Sequence, residues 1–156
     1  MLFLTGTFAR TIDEKQRLAI PKRLRDALSN SSDVVTTVLY AAPGTDGSLA
    51  LYTEDSFTRL AEQLSAVSPT GQDVRAFSRL FFSQAQRLEI DRQGRVRVPP
   101  ELVQMAKLTK EVVLVGVRDH LELWDKKRWE NYVNQQQSHY DDLAEKAFSQ
   151  PRTLNG

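Results

Sequence analysis

Two short stretches of this chain alternate in the same way. In Arg17-Leu18-Ala19-Ile20 and Arg95-Val96-Arg97-Val98 every second position is apolar. That period places Leu18, Ile20, Val96 and Val98 on inward strand faces, with Arg17, Arg95 and Arg97 opposite. Each stretch runs into a proline, Pro21 or Pro99, which suits the first turn of a helix because its missing N–H costs nothing there. The short helices that follow are expected to bury Leu24 and Leu28 in one case, and Leu102 with Met105 or Ala106 in the other. Val34 to Tyr40 and Val112 to Val117 read as strands, paired with Leu49-Ala50-Leu51-Tyr52 and Leu121-Glu122-Leu123-Trp124. The predicted unit is β-α-β-β, and it occurs twice.

The repetition extends to residue identity. Ile12 to Leu24 aligns without gaps on Ile90 to Leu102, with Ile, Asp, Arg, Pro and Leu shared at five positions. An aromatic residue, Phe57 or Trp129, stands five positions beyond each second strand. The offset between equivalents falls from 78 at the motif to 72 at the strands, so the first copy carries six extra residues. The Pro43-Gly44-Thr45-Asp46-Gly47 turn region is the expected place for them. Between the copies, Phe57, Leu60, Leu64, Val67 and then Val74, Phe77, Leu80, Phe81 predict two helices separated by a Ser68-Pro69-Thr70-Gly71 break. Trp129, Tyr132, Val133, Tyr140, Leu143 and Phe148 predict a further helical stretch, weakest around Gln135 to Ser138. The organisation read from this is a first half over 1–53, linking helices over 54–85, a second half over 86–124, a C-terminal helix over 125–149 and a tail over 150–156. With 156 residues in all, two such halves are expected to share one core.

Charge changes the picture more than composition does. The net charge is only +1, but residues 10–25 carry +4 and residues 87–97 carry +2, leaving −5 elsewhere. The two basic segments are the two copies of one motif, which predicts a single basic face. There is no cysteine, so thiolate catalysis and cysteine-ligated metals are excluded. The two histidines, His120 and His139, lack the paired ligands of a metal site. No phosphate-binding glycine loop or Gly-x-Ser-x-Gly elbow occurs. The expectation is therefore no enzyme and no cofactor. No apolar run approaches a membrane span, so a cytoplasmic protein is expected.

With Asp13-x-x-x-Arg17 and Asp91-x-x-x-Arg95 each followed by an apolar pair and proline, the chain resembles the MraZ family, whose halves resemble AbrB-type DNA-binding domains. Arg79-Leu80-Phe81-Phe82-Ser83-Gln84-Ala85 and Val112-Val113-Leu114-Val115-Gly116-Val117 are similar to further stretches of that family. The resemblance implies an α+β fold of tandem, pseudo-symmetric halves around a β-barrel-like core, with linking and C-terminal helices. It also implies a ring-shaped homo-oligomer larger than a dimer, associated with the nucleoid. Such a ring binds double-stranded DNA at tandem repeats upstream of its own cell-division and cell-wall operon. Carried over by position, Asp13, Lys15, Arg17, Asp91 and Arg95 face DNA. Arg10, Arg25, Arg92 and Arg97 join them from the same basic segments. The aspartates repel phosphate, so their expected part is to orient the arginines or close the turn. Gln16 stands where the family pattern has glycine; a turn needing positive φ would cost it about 1 kcal/mol. An antitoxin-like ring that binds protein instead of DNA is the alternative reading.

Overall fold

The computed structural model describes residues 2–29, 36–67 and 70–149. Val34 at the start of the expected first hairpin, the Ser68-Pro69 part of the expected break and the tail from Gln150 lie outside them. In chain order the elements are β1 (Thr7–Thr11), β2 (Arg17–Ala19), α1 (Lys22–Ser29), β3 (Val38–Pro43), β4 (Leu49–Tyr52), α2 (Glu54–Ala66) and α3 (Gln72–Gln84). There follow β5 (Gln86–Glu89), β6 (Arg95–Arg97), α4 (Pro100–Met105), β7 (Glu111–Val117), β8 (His120–Asp125), α5 (Lys126–Gln136), a 3-10 turn (Gln137–His139) and α6 (Tyr140–Ser149). The chain divides into a compact unit ending at Lys126 and a helical unit from Lys127. In the helical unit Trp129 stacks on Tyr132 at 6.1 Å, and Tyr140, Leu143 and Phe148 are exposed. The weak stretch around Gln135 to Ser138 is where the 3-10 turn interrupts the helix.

The compact unit is built on one antiparallel sheet of order β1-β7-β8-β4-β3-β5 and a separate ribbon, β2-β6. The sheet is open, with β1 and β5 at its two ends, so the expected barrel-like closure is replaced by a sheet and a ribbon facing each other across the core. The order is palindromic under the 72–78-residue offset. Equivalent strands β4 and β8 pair at the centre, with Leu49 opposite Leu123 and Leu51 opposite Leu121. The outermost strands are exchanged: β1 of the first copy pairs with β7 of the second, and β5 of the second with β3 of the first. Neither copy completes its own sheet.

One hydrophobic core fills the space between sheet and ribbon. It takes Leu39, Ala41, Leu49, Leu51, Val112, Leu114, Leu121 and Leu123 from the sheet, Leu18, Ile20, Val96 and Val98 from the ribbon segments, Leu24 and Leu28 from α1, Leu102 from α4, and Ala106 from the position that ends α4. Each fully buried leucine or valine is worth about 1.5–3 kcal/mol of transfer free energy, so the two copies stabilise each other through the same side chains. The other sheet face meets α2 and α3, where Tyr40 stacks on Phe57 at 4.7 Å and Phe81 is buried. Thr53 caps α2, its side-chain oxygen accepting from Ser56 N–H, which satisfies one of the orphan donors of the first turn.

Three local expectations need correction. Pro21 and Pro99 stand just before their helices, where their carbonyls accept the first helical hydrogen bonds, from Arg25 N–H and Val103 N–H; the first-turn positions go to Lys22 and Pro100. The first hairpin strand runs through Ala41-Ala42-Pro43 instead of ending at Tyr40. The six extra residues also lie elsewhere. Pairing of Ala41 with Leu51 and of Leu114 with Leu123 fixes an offset of 73 already at β3 and β7. Five of the six therefore precede β3, and one is in the hairpin.

Candidate nucleic-acid interface

The ribbon carries the arginines singled out from the sequence. β2 and β6 run antiparallel with Leu18 opposite Val96, Arg17 opposite Arg97 and Ala19 opposite Arg95. Leu18 and Val96 are buried, so the pleat turns Arg17, Arg95 and Arg97 to the outward face together. Directly opposed residues have Cβ atoms about 4.5–5.5 Å apart, and like charges there are destabilising. Arg17 and Arg97 are such a pair.

Each strand is entered through the same turn. Asp13 Oδ1 accepts from the backbone N–H groups of Lys15 and Arg17, both at 2.9 Å, while Oδ2 accepts from Arg17 Nε at 2.7 Å. Asp91 repeats this with Gln93 N–H at 2.8 Å, Arg95 N–H at 2.9 Å and Arg95 Nε at 3.2 Å. One carboxylate thus closes the turn and aims the guanidinium. The backbone N–H of Arg17, then its side chain and Lys15 N–H, hold the Asp13 carboxyl below its ordinary value. The backbone N–H of Arg95, followed by Gln93 N–H and the Arg95 side chain, does the same for Asp91. Because each aspartate takes only Nε, the Nη groups of Arg17 and Arg95 have no hydrogen-bond partner among the described residues.

The turns reach left-handed backbone at equivalent positions, Gln16 with φ 62° and Gly94 with φ 77°. Gln16 therefore keeps the glycine geometry. The ribbon ends are locked reciprocally, Ile20 N–H donating to Gly94 O at 2.9 Å and Val98 N–H to Gln16 O at 2.8 Å. Each turn is thus pinned by the strand of the other copy.

The remaining basic residues are dispersed around this frame. Lys15 and Arg92 are exposed at the two turn tips, and Arg97 is exposed on the ribbon. Arg25, on α1, donates from Nε to Ile20 O at 3.1 Å and lies against the second turn: a Cβ on Gly94 would come within 2.6 Å of its Cζ. Arg10 is not on the ribbon. It sits on β1, opposite Val112, donating to Ala9 O, with its guanidinium 5.9 Å from the Phe8 ring. Arg23 lies over the same ring at 5.9 Å. A groove of about 590 Å³ beside the first turn is lined by Ile12, Gln16, Val103 and Leu108 with Asp13 and Lys110.

Sequence reasoning missed a second polar cluster, on β8 and the outer sheet face. His120 lies between Asp119, 2.9 Å from Nδ1, and Glu122, 3.3 Å from Nε2, and stacks on Tyr52 at 5.3 Å. Trp124 Nε1 donates to Glu122 at 3.0 Å. The i, i+2, i+4 spacing of His120, Glu122 and Trp124 on one strand was the available signal. Among the described residues no helix is long and apolar enough to cross a membrane.

The chain has relatives that match it over most of its length. A family model described as "MraZ protein, putative antitoxin-like" matches residues 3–80 and again 81–150. The chain is 38% identical to the Transcriptional regulator MraZ of Finegoldia magna over 92% of its own length and 95% of the relative's. It is 40% identical to the protein of that name from Carboxydothermus hydrogenoformans, over 90% and 94%, and 32% identical to that from Mesoplasma florum, over 95% and 97%. With the model matched in both halves and the relatives covered almost end to end, this chain belongs to the MraZ family.

Proposed function

We propose that this chain is a sequence-specific DNA-binding transcriptional regulator that grips double-stranded DNA with the outward ribbon face and its two turns. The observation that carries the reading is the placement of Arg17 opposite Arg97, with Arg95 on the same face. Like charges so placed cost stability unless an anion takes them up, and the paired aspartates engage only one nitrogen each of Arg17 and Arg95. Guanidinium groups held in this way contact phosphates, and a bidentate one reads guanine O6 and N7 in the major groove. Lys15, Arg17, Arg92, Arg95, Arg97 and Arg25 are the contact residues in this reading, with Arg10 at the periphery and Asp13 and Asp91 as positioning residues. Relatives named as transcriptional regulators support it.

The two halves, over 1–53 and 86–124, act as AbrB-like modules. The protein works as a homo-oligomeric ring larger than a dimer, on tandem repeats upstream of its own cell-division and cell-wall operon, in the cytoplasm at the nucleoid. It uses no cofactor and performs no catalysis. The linking segment leaves Val67, Phe77, Leu80 and Phe82 exposed, and exposed apolar side chains of this kind are available for self-association. Presenting several protomers to several repeats gains roughly 10² to 10⁴ in affinity without new contacts.

The test is binding of wild type and Arg17→Ala/Arg95→Ala to a duplex carrying the region upstream of its own gene, at two salt concentrations. Tight, salt-sensitive binding that the folded double variant loses is the expected outcome. A wild type that assembles but binds no duplex would transfer the reading to an antitoxin-like protein partner.

A further inference from the structure

The last two helices are apolar on one side, yet neither α5 nor α6 contains a buried residue. A helix as short as α6, with 10 residues, is marginal in water by itself and depends on packing its apolar face. That face holds Tyr140, Leu143, Ala144 and Ala147, at the i, i+3, i+4, i+7 spacing of one side of a helix. Leu143 is 46% exposed, Tyr140 66% and Phe148, at the margin of the same face, 93%. Asp141 and Glu145, one turn apart, border the face on its Phe148 side. The helix is an unpartnered apolar stripe with an acidic edge.

Between α2 and α3 lies a groove of about 390 Å³ with the complementary character. Ala61 and Leu64 of α2 and Val74 and Phe82 of α3 supply its apolar lining, and Arg75 and Arg79 stand beside them on α3. Both arginines are exposed, and they too are one turn apart. Arg75 donates to the backbone carbonyl of Thr70, and Arg79 has no hydrogen-bond or ion-pair partner among the described residues. Residues four apart rise about 6 Å along any α-helix, so the two arginines and the two carboxylates share one spacing. A helix laying its apolar face into such a groove is a recurring mode of recognition.

We propose that α6 of one copy docks in the α2–α3 groove of a second copy, its apolar face on Leu64, Val74 and Phe82 and its Asp141 and Glu145 against Arg75 and Arg79. This rests on the self-association reading above and names the two surfaces that meet. Exposed ion pairs add little strength; here they set register and partner choice while the apolar face supplies the burial. Groove and helix are different surfaces of the chain, so the contact is heterologous, each copy giving a helix to one neighbour and taking one from another. Repeated from copy to copy, it closes a ring.

The experiment uses two full-length variants, Arg75→Glu/Arg79→Glu and Asp141→Arg/Glu145→Arg, with assembly followed by sedimentation velocity over a concentration series. Every substituted residue is exposed, so both are expected to keep the wild-type circular dichroism. Each variant alone sets like charges against one another, which is expected to raise the concentration of half-assembly roughly a hundredfold. An equimolar mixture is expected to assemble as wild type does: the unaltered helix of one variant meets the unaltered groove of the other, and altered helix meets altered groove. Restoration on mixing places the contact between copies, since a helix seated in its own chain's groove gains nothing from a second chain. Leu143→Asp, on the exposed apolar face, is expected to weaken assembly similarly and serves if the groove variant folds poorly. Folded variants that assemble as wild type does, or a mixture that stays dissociated, overturn the docking of α6 and leave the self-association reading standing. A wild type that is monomeric throughout the series overturns the self-association reading itself.

Discussion

Leu18 and Val96, equivalent residues of the two copies, are each other's cross-strand partners at the centre of the ribbon, and both are all but inaccessible to solvent. The outward arginines are therefore displayed on a seam that exists only when the two copies are joined.

Leu18→Ala should cost about 2–5 kcal/mol of unfolding free energy, the range for a buried leucine truncation. Combining it with Val96→Ala should give a total that departs from additivity, because the two share one cavity. Urea denaturation of the three variants measures both. Additive losses would mean that the ribbon halves pack independently.

Splitting the chain within the α2–α3 connection tests the strand exchange. A chain ending at Val67 lacks β7, the partner of β1, and a chain starting at Thr70 lacks β3, the partner of β5. Each should be insoluble or unfolded alone and recover native circular dichroism when the two are co-expressed. A soluble, folded monomer from either piece would contradict the exchange.

Gln16 sits in left-handed backbone at φ 62°, which costs a non-glycine residue about 1 kcal/mol. Gln16→Gly is expected to raise stability by up to that amount, offset in part by lost packing beside Val103. The shift in denaturation midpoint decides it, and a loss above 1 kcal/mol would show that the side-chain packing outweighs the backbone strain.

The β8 cluster should make stability depend on pH at both ends. The Glu122 hydrogen bond, followed by that of Asp119, raises His120 above 6.5. Its contribution is complete below the unfolded value and is lost as pH rises through the higher folded value. Glu122, held below 4.5 chiefly by His120 and then by Trp124 Nε1–H, contributes above 4.5 and loses that contribution as pH falls through its lowered value. Melting curves should therefore place maximal stability between about pH 4.5 and 6.5. His120→Gln should flatten the alkaline side; an unchanged alkaline slope would remove His120 from the account.

Much of the site was legible because the ribbon is written in local code. Alternation gave the faces of Arg17, Leu18, Arg95 and Val96, and the gapless repeat tied the two motifs together. The exchanged strands β1 and β5 were not legible. Their five and four residues are short, and β1 alternates only between exposed and half-buried positions, so little marks it as a strand. When two copies are alike, nothing local says whether a strand pairs within its own copy or with the other. The seat of Arg25 on Gly94 was hidden for a related reason: it joins residues 69 positions apart, and only the folded chain brings them together. The insertion before β3 was misplaced because glycine and proline drew attention to the hairpin.

The palindromic strand order has a consequence for how such a surface can change. In a symmetric dimer of separate identical chains, every substitution is made twice, and a helpful change on one side is imposed on the other. Here both sides of the pseudo-dyad are written once each in a single chain. Glycine and arginine could settle on one side while glutamine and valine settled on the other, so the two turns need not present the same surface.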